Sequence, residues 1–419
     1  MTEYRGVVLI TVDSLRADHL GYHGYEKDTS PFLDEFASEN TSFKNCTSAG
    51  PRTLSSFPCL LSSTYLSSHP FGKERSERLS EDRVLISEYL EDVETSAFHS
   101  NPLISKYYGY DRGFDRFEDY LITDSTVNAG YLGRAKRILK LLLGDPPFTP
   151  GGNIHEDALE WIRSREGKFF SWIHYMEPHM PYLPPKRYQK LVGGRKVGHL
   201  KKLLLGKKLD NTNTRSDLSD DEVDLLIQLY DACIRYLDDI IKELIERLPD
   251  DVSVIITADH GEGFREHGFL GHKDYLYDEV IHVPLFVSGD EQDVETPVNH
   301  VDVVPTVLRM LGKDVPDFYL GENLFDLPDR EGTFTEWLRG EKWQIAYRGR
   351  DFKYILDKKR DKEEFYDLEN DPSEAENIAS EMDIERYRKT VLDHRQEQIE
   401  MKSKSEKKKI KDTIGNISL

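Results

Sequence analysis

The segment 252–260 constrains the fold more than any other part of the chain. Its first seven residues are mostly apolar or β-branched, and the run stops abruptly at Asp259 and His260. This pattern predicts a buried strand that delivers an acid and an imidazole to one edge of a sheet. Residues 7–12 are also apolar or β-branched and are followed by Asp13. Two strands are therefore predicted to end at side chains that can bind a metal.

Asp13, Asp259 and His260 are expected to converge. The carboxyl ends of parallel strands share one edge of a sheet, and open α/β sheets bind their ligands there. Two carboxylates and an imidazole at that edge favour a divalent metal site. The alternative is that each aspartate only caps the turn that follows its strand.

The rest of the chain alternates between apolar runs and amphipathic or capped segments. Strands are predicted near 95–99, 169–175 and 283–287, and helices from 31, from 53, over 85–92, over 219–247 and from 303. This alternation is typical of an α/β fold in which a large, mixed but mostly parallel central sheet has helices on both faces. From about Gly332, short alternating runs predict a small C-terminal antiparallel sheet, closed by a helix near 384–400.

The predicted organisation has three parts. Residues 1–331 form a catalytic α/β domain with inserted segments at about 120–155 and 186–215. Residues 332–400 form the small sheet and its helix. Residues 401–419 are a tail with six lysines between 402 and 411, for which we expect disorder.

Charge and cysteine content limit the classes of function. The formal net charge of −21 argues against nucleic-acid binding, because neutralising phosphates needs a basic face. The three cysteines, Cys46, Cys59 and Cys233, predict neither a disulfide framework nor a cysteine zinc site. We see no signal peptide and no apolar run long enough to span a membrane, so a cytoplasmic location is expected.

Thr53 is a candidate nucleophile. It follows Gly50 and Pro51, which end a loop, and a helix is predicted to begin at Thr53 or just after it. A hydroxyl at a helix N-terminus gains from the helix dipole and from free amide donors, and the position suits a phosphate or sulfate. Taken alone, a threonine before a helix is more often a cap than a nucleophile.

The chain resembles the sulfatase family of the alkaline-phosphatase superfamily from about residue 5 to residue 380. Each motif is weak alone, but their order and spacing together are specific. The motifs are the first strand with Asp13, Arg16 and Asp18, the Ser30–Asp34 helix start, Glu177–Tyr182 with His179, Asp259–Glu262, Gly271–Glu279, His282–Leu285, Asp302–Thr306 and Phe365–Asn377.

The resemblance implies roles for particular residues. The metal ligands would be Asp13, Thr53, Asp259 and His260, holding one divalent ion that could be Mn, Zn, Ca or Mg. Besides Thr53, the resemblance implies three catalytic residues, His179, His272 and Lys273. They would contact the substrate's oxygens or protonate the leaving group. One alignment shift decides between His272 and Lys273, so both stay open. His174, His267 and His282 are expected to be structural or to support the ligands from behind. Arg16 is expected to be structural, with a side chain long enough to reach the site.

The chain departs from the family at the nucleophile. Sulfatases proper oxidise a Cys or Ser in a C/S-x-P-x-R motif to formylglycine, and Thr53, Ser55 and Phe57 occupy the Cys, Pro and Arg positions. We therefore expect no formylglycine and a Thr53 nucleophile variant. Ser48 is the reserve candidate. The family's paired Asp at the first strand is also reduced here to Asp13 followed by Ser14.

The predicted function is metal-dependent cleavage of sulfate or phosphate esters through a covalent Thr53 intermediate, with phosphoesters favoured mechanistically. The first alternative is a transferase of phosphoglycerol or phosphoethanolamine type that acts on a lipid- or glycan-linked acceptor, and the second is a non-catalytic, sulfatase-like binding protein. The predicted partner is an anionic ester of a glycan, lipid or small molecule, and the oligomeric state stays open. Two basic segments, 134–143 and 186–208, are either lid helices or contacts to an anionic membrane.

Overall fold

The structure is a computed structural model that describes residues 4–68, 78–121, 148–210 and 218–417. The basic segment 134–143 and most of the predicted insertion at 120–155 lie outside these residues. None of the helices in the described ranges has both the length and the hydropathy that a bilayer crossing requires.

The elements alternate along the chain as the sequence patterns predict. The strands are β1 Gly6–Val12, β2 Thr41–Phe43, β3 Cys46–Thr47, β4 Glu94–His99, β5 Arg116–Glu118, β6 Phe169–Tyr175, β7 Val252–Ala258, β8 Leu285–Val287, β9 Gln292–Val294, β10 Val298–Asn299, β11 Gly332–Arg339, β12 Lys342–Gly349, β13 Phe352–Asp357 and β14 Lys362–Asp367. The α-helices are α1 Pro31–Glu39, α2 Thr53–Leu60, α3 Ile86–Tyr89, α4 Gly151–Arg163, α5 Lys186–Leu191, α6 His199–Asp210, α7 Asp220–Ile245, α8 Asp278–Ile281, α9 Val303–Met310 and α10 Glu385–Ile417.

The central sheet has eight strands in the order β5-β4-β6-β1-β7-β8-β2-β9. The pairs from β5 to β7 are parallel, whereas β8 runs antiparallel to both β7 and β2. Every residue of β1, β6 and β7 is buried, which requires cover on both faces of the sheet. This confirms the predicted mixed, mostly parallel sheet of an alkaline-phosphatase-like fold.

The register of the three central strands creates the site edge. Val12 lies opposite both Tyr175 and Ala258, so β6, β1 and β7 end at one level. The backbone NH of Asp13 donates to Tyr175 O (2.9 Å), and that of Asp259 donates to Val12 O (3.0 Å). The first residues after β1 and β7 are therefore held side by side.

Helix α2 lies over this edge. The ring of Phe57 packs 5.2 Å from the Trp172 ring and 5.0 Å from the His174 ring of β6, measured between centroids. Its N-terminus places Thr53 beside the strand ends, and the helix begins at the predicted residue.

The C-terminal sheet is antiparallel, in the order β11-β12-β13-β14, as predicted. Trp337 and Ile355 from this sheet share a small core with Leu276 and Val280, so the subdomain supports the chain that follows His272.

Helix α10 extends through residue 417 and includes most of the lysine-rich tail. The sequence predicts disorder from residue 401, whereas the structure has a helix there up to residue 417. Lysine and glutamate have high helix propensity, and that preference competes with the loss of order expected from a polar composition.

Candidate active site

The strand ends bring together three of the predicted metal ligands. Ligand atoms of Asp13, Asp259 and His260 all lie within 4.8 Å of one another, and all three residues are fully buried. Two more groups of acids and histidines occur in the described part of the chain, His155 with Glu156 and Glu243, and His267 with Glu279 and Glu374. In the first group Arg247 already pairs with both carboxylates, and in the second Lys353 pairs with Glu374.

The two buried carboxylates fit a divalent cation. Burial, and then the nearby Asp13 carboxylate, raise the pKa of Asp259 well above its ordinary value. Burial also opposes ionisation of Asp13, but neighbouring histidines, led by His179, hold its pKa below the ordinary value. Asp13 therefore ionises easily, whereas Asp259 does not. A divalent cation between the two carboxylates would stabilise the ionised form of both.

His260 has the proton arrangement of a metal ligand. Its Nδ1 lies 2.8 Å from Gly261 O, and because a carbonyl can only accept, Nδ1 carries the proton. The Nε2 lone pair therefore faces the cluster. Burial lowers the pKa of His260 well below its ordinary value, which favours the neutral, ligating form.

Thr53 joins this cluster. Its hydroxyl donates to Asp259 Oδ2 (3.0 Å) and lies 3.3 Å from His260 Nε2. The four predicted ligands are thus brought to one point. The reserve candidate, Ser48, instead donates its hydroxyl to Gly50 O (3.0 Å).

His272 lies next to the cluster. Its ring centroid is 4.2 Å from that of His260, and its Nδ1 is 3.3 Å from Glu262 Oε1. Burial disfavours the charged imidazolium, but the Glu262 carboxylate outweighs this and raises the pKa of His272. The Tyr182 hydroxyl donates to Glu262 Oε2 (3.1 Å) and fixes that carboxylate. Lys273 is the next residue of the same loop and is half-buried.

His179 approaches from the chain that follows β6. Its Nε2 is 4.0 Å from Asp13 Oδ1, and its ring centroid is 5.6 Å from that of His272. Its Nδ1 lies 2.6 Å from Met180 O and so carries a proton. With 26% of its side chain exposed, His179 borders the open side of the cluster.

Sequence reasoning missed Asn101. Its side-chain amide donates to Asp13 Oδ2 (2.8 Å) and lies 3.5 Å from His174 Nε2. His174 is itself 3.5 Å from Asp13 Oδ2 and bonds Thr11 Oγ1 through Nδ1 (3.0 Å). Asn101 is the second residue after β4, and Asp13 is the first residue after β1, so a search of the strand ends that includes the second position could have found it.

Three other polar residues of the motifs make structural contacts. Arg16 pairs with Asp18 (2.6 Å). His267 Nδ1 lies 2.7 Å from Glu279 Oε1. His282 Nε2 donates to the backbone oxygen of Lys44 (2.8 Å). These contacts agree with the expected structural roles.

Comparison with known proteins identifies relatives. The profile of the family described as Sulfatase matches residues 5–313. The uncharacterized sulfatase YidJ of Escherichia coli K12 is 26% identical over 264 residues, covering 57% of this chain and 53% of that protein. An arylsulfatase of Clostridium perfringens is 23% identical and covers 92% of each chain. The phosphatidylethanolamine transferase Mcr-1 of Escherichia coli is 26% identical over 331 residues, covering 74% of this chain and 54% of the transferase.

The chain thus spans about half the length of two of these relatives. Among solved structures, a phosphonate monoester hydrolase of Agrobacterium radiobacter superposes with a TM-score of 0.73 at 17% identity and covers 96% of each chain. That likeness supports the fold. The family profile covers most of the chain, and the cluster at the strand ends agrees with it. This protein therefore belongs to the sulfatase family.

Proposed function

We propose that the protein is a metal-dependent hydrolase of anionic esters in which Thr53 is the nucleophile. One observation carries the proposal. The Thr53 hydroxyl lies at a helix N-terminus within 3.0 Å of Asp259 Oδ2 and 3.3 Å of His260 Nε2. A divalent cation held by Asp13, Asp259, His260 and Thr53 would lower the pKa of that hydroxyl and offset the charge of the ester.

Threonine replaces the residue that sulfatases oxidise, so the reaction is assigned to the unmodified hydroxyl. The thiol of Cys59, the nearest cysteine in sequence, donates a hydrogen bond to Ser55 O (3.4 Å). Burial raises the pKa of this thiol to about 12, which leaves it protonated and unreactive. A formylglycine at either position is not part of the proposal.

The proton transfers follow from the hydrogen bonds. The Thr53 oxygen forms a bond to phosphorus or sulfur while its proton passes to the Asp259 carboxylate. The bond to the alcohol oxygen breaks, and that oxygen keeps the electron pair and takes a proton from His272 or His179. Glu262 favours the protonated form of His272, which suits it as the acid. Water then attacks the same phosphorus or sulfur atom and gives a proton to the histidine that acted as the acid, while the bond to the Thr53 oxygen breaks and that oxygen takes its proton back from Asp259.

Phosphate esters are favoured over sulfate esters. A threonine alkoxide must displace the alcohol directly, and the resulting ester must then be hydrolysed at the central atom. Phosphate monoesters and diesters undergo both steps readily with metal assistance. Family membership keeps sulfate esters as a second class of substrate, and Lys273 stays a candidate for contact with the ester oxygens.

Transfer to a second alcohol is the alternative reaction. The relative named as a phosphatidylethanolamine transferase favours it, as do the basic helices α5 and α6, which belong to the segment 186–208. In a transferase the Thr53 ester would persist until an acceptor arrives. A non-catalytic binding protein is disfavoured by the four converging residues at the strand ends.

The cytoplasmic location stays a prediction. All three cysteines are free and buried.

The test is metal-dependent turnover of matched aryl phosphodiester, phosphomonoester and sulfate ester substrates. We expect the diester or monoester to be cleaved after Mn²⁺ addition, and Thr53→Ala to lower kcat by at least about a thousandfold. Ser48→Ala is the matched control and should leave kcat within a factor of about two. Sulfate ester cleavage that survives in Thr53→Ala would overturn the threonine assignment. A Thr53 ester that forms without turnover would support the transferase.

A further inference from the structure

A positively charged rim lies beside the Thr53 site. It consists of Arg52, Lys359 and Arg360, which surround Asp274. Arg52 Nη2 is 3.3 Å from Asp274 Oδ1, and Lys359 Nζ is 2.8 Å from Asp274 Oδ2. The Arg360 guanidinium reaches the backbone oxygen of Asp274 (3.5 Å). One carboxylate thus holds cations from the catalytic domain and from the turn between β13 and β14.

The rim joins two of the segments that form the site. Arg52 directly precedes Thr53, and Asp274 follows His272 by two residues. The Arg52–Asp274 ion pair therefore connects the start of α2 to the loop that carries His272. Gln344 of β12 donates to the backbone oxygen of Asp274 (2.9 Å), which ties the same loop to the C-terminal sheet.

The charges of the rim do not balance. Arg360 is paired with Asp357 (2.6 Å), a buried carboxylate that also accepts from the backbone NH of Lys359 and Arg360. Arg52 and Lys359 are left to share Asp274, which gives a net charge of one positive unit. Their side chains are 41% and 24% exposed. In a chain of net charge −21, a cationic spot that includes the residue before Thr53 is a specific feature.

We propose that Arg52 and Lys359 bind a second anionic group of the substrate, carried on its alcohol part and separate from the reacting ester. This inference rests on the proposed function. Asp274 orients the two cations when the site is free, and the incoming carboxylate or phosphate competes with it for them. The substrates would be esters of acidic alcohols, because a guanidinium and an ammonium together recognise such groups through charge-assisted hydrogen bonds.

A purely structural role for the cluster around Asp274 predicts a different result. The cluster would then only fasten the C-terminal turn to the His272 loop, and Lys359 also lies over the Trp337 ring (4.5 Å). In that case Asp274→Asn would loosen the loop and weaken the binding of all ligands alike. Under the proposal, Asp274→Asn removes a competitor and strengthens the binding of doubly anionic ligands.

The experiment compares two non-hydrolysable ligands on the full chain with Mn²⁺. Ethylphosphonate carries one anionic group, and 2-carboxyethylphosphonate adds a second. Isothermal titration should show that the wild type prefers the carboxyethyl ligand by about tenfold. Lys359→Ala should abolish the preference, and Lys358→Ala, an exposed neighbour, should keep it. Asp274→Asn should increase the preference.

Equal affinities for the two ligands, a preference that survives Lys359→Ala, or no binding of either ligand would overturn the inference. A circular dichroism melt of each variant shows that it is folded. The binding result does not depend on turnover. If the preference is found but no ester is cleaved, the proposed hydrolase reaction fails and the second anion site stands; if esters are cleaved without the preference, the reverse holds.

Discussion

The side-chain amide of Asn101 donates a 2.8 Å hydrogen bond to Asp13 Oδ2. The bond uses one oxygen of Asp13, while Ser14 Oγ donates to the other (2.8 Å). The carboxylate is therefore held in one orientation by donors from two different strand ends. Such supporting contacts set the geometry of a metal ligand as much as the ligand's own position does.

We predict that Asn101→Ala weakens Mn²⁺ binding by about ten- to a hundredfold, because Asp13 becomes free to rotate. Calorimetric titration of the metal measures this directly. Thermal unfolding gives a second readout, since a free metal concentration of a hundred times Kd stabilises the folded state by about 2.7 kcal/mol. Addition of EDTA should remove that stabilisation from the wild type.

Asn153→Ala, at an exposed position of α4, is the matched control and should bind the metal as the wild type does. Equal Mn²⁺ affinity in Asn101→Ala and the wild type would show that Asp13 does not depend on this bond.

The sequence predicted the strands that build the site because a buried parallel strand has a distinct apolar run. It also predicted which residues follow β1 and β7. Asn101 was missed although a strand near 95–99 was predicted, because it is the second residue after that strand and belongs to none of the motifs that marked the other strand ends. The rim around Asp274 could not be predicted, since it joins residues from Arg52 to Arg360 that only the packing of the C-terminal sheet brings together.

A buried glutamate supplies a pH-dependent prediction. Glu177 Oε1 accepts from the backbone NH of Gly151 (2.6 Å) at the start of α4, while its Oε2 has no hydrogen-bond partner among the described residues. Burial raises the pKa of Glu177 from its ordinary 4.5 to about 7. The folded protein therefore binds a proton that the unfolded chain releases, and stability falls as the pH rises from 4.5 to 7.

Glu177→Gln removes this ionisation and can still accept from Gly151. We expect the variant to match the wild type below pH 4.5 and to exceed its free energy of unfolding by about 2–3 kcal/mol above pH 7. Urea unfolding across this pH range measures the difference. Glu160→Gln, exposed on the same helix, should show no such gain. A constant difference at all pH values would contradict the assigned pKa.

The helices α5 and α6 supply a prediction about membrane contact. Leu191, Leu200 and Leu204 are 49%, 63% and 55% exposed, and the segment 186–208 contains nine lysines and arginines and no acid. Exposed leucines among basic residues are typical of surfaces that bind anionic lipid. Flotation with phosphatidylserine vesicles at low salt should recover the protein, and high salt should release it.

Leu200→Asp combined with Leu204→Asp should abolish flotation. Leu392→Asp, at a leucine that is 42% exposed on α10, is the control and should float normally. A wild-type protein that stays at the bottom of the gradient at low salt would remove membrane contact from the account and leave these helices as a cover of the site.

The central claim is that Thr53 forms a covalent ester with the transferred group. The most direct measurement is the stereochemical course of hydrolysis, in heavy-oxygen water, of a phosphorothioate diester that is chiral at phosphorus. Attack by Thr53 followed by attack by water inverts the phosphorus twice, so we predict net retention. Net inversion would mean that water attacks the substrate directly, and Thr53 would then be a metal ligand without a nucleophilic role.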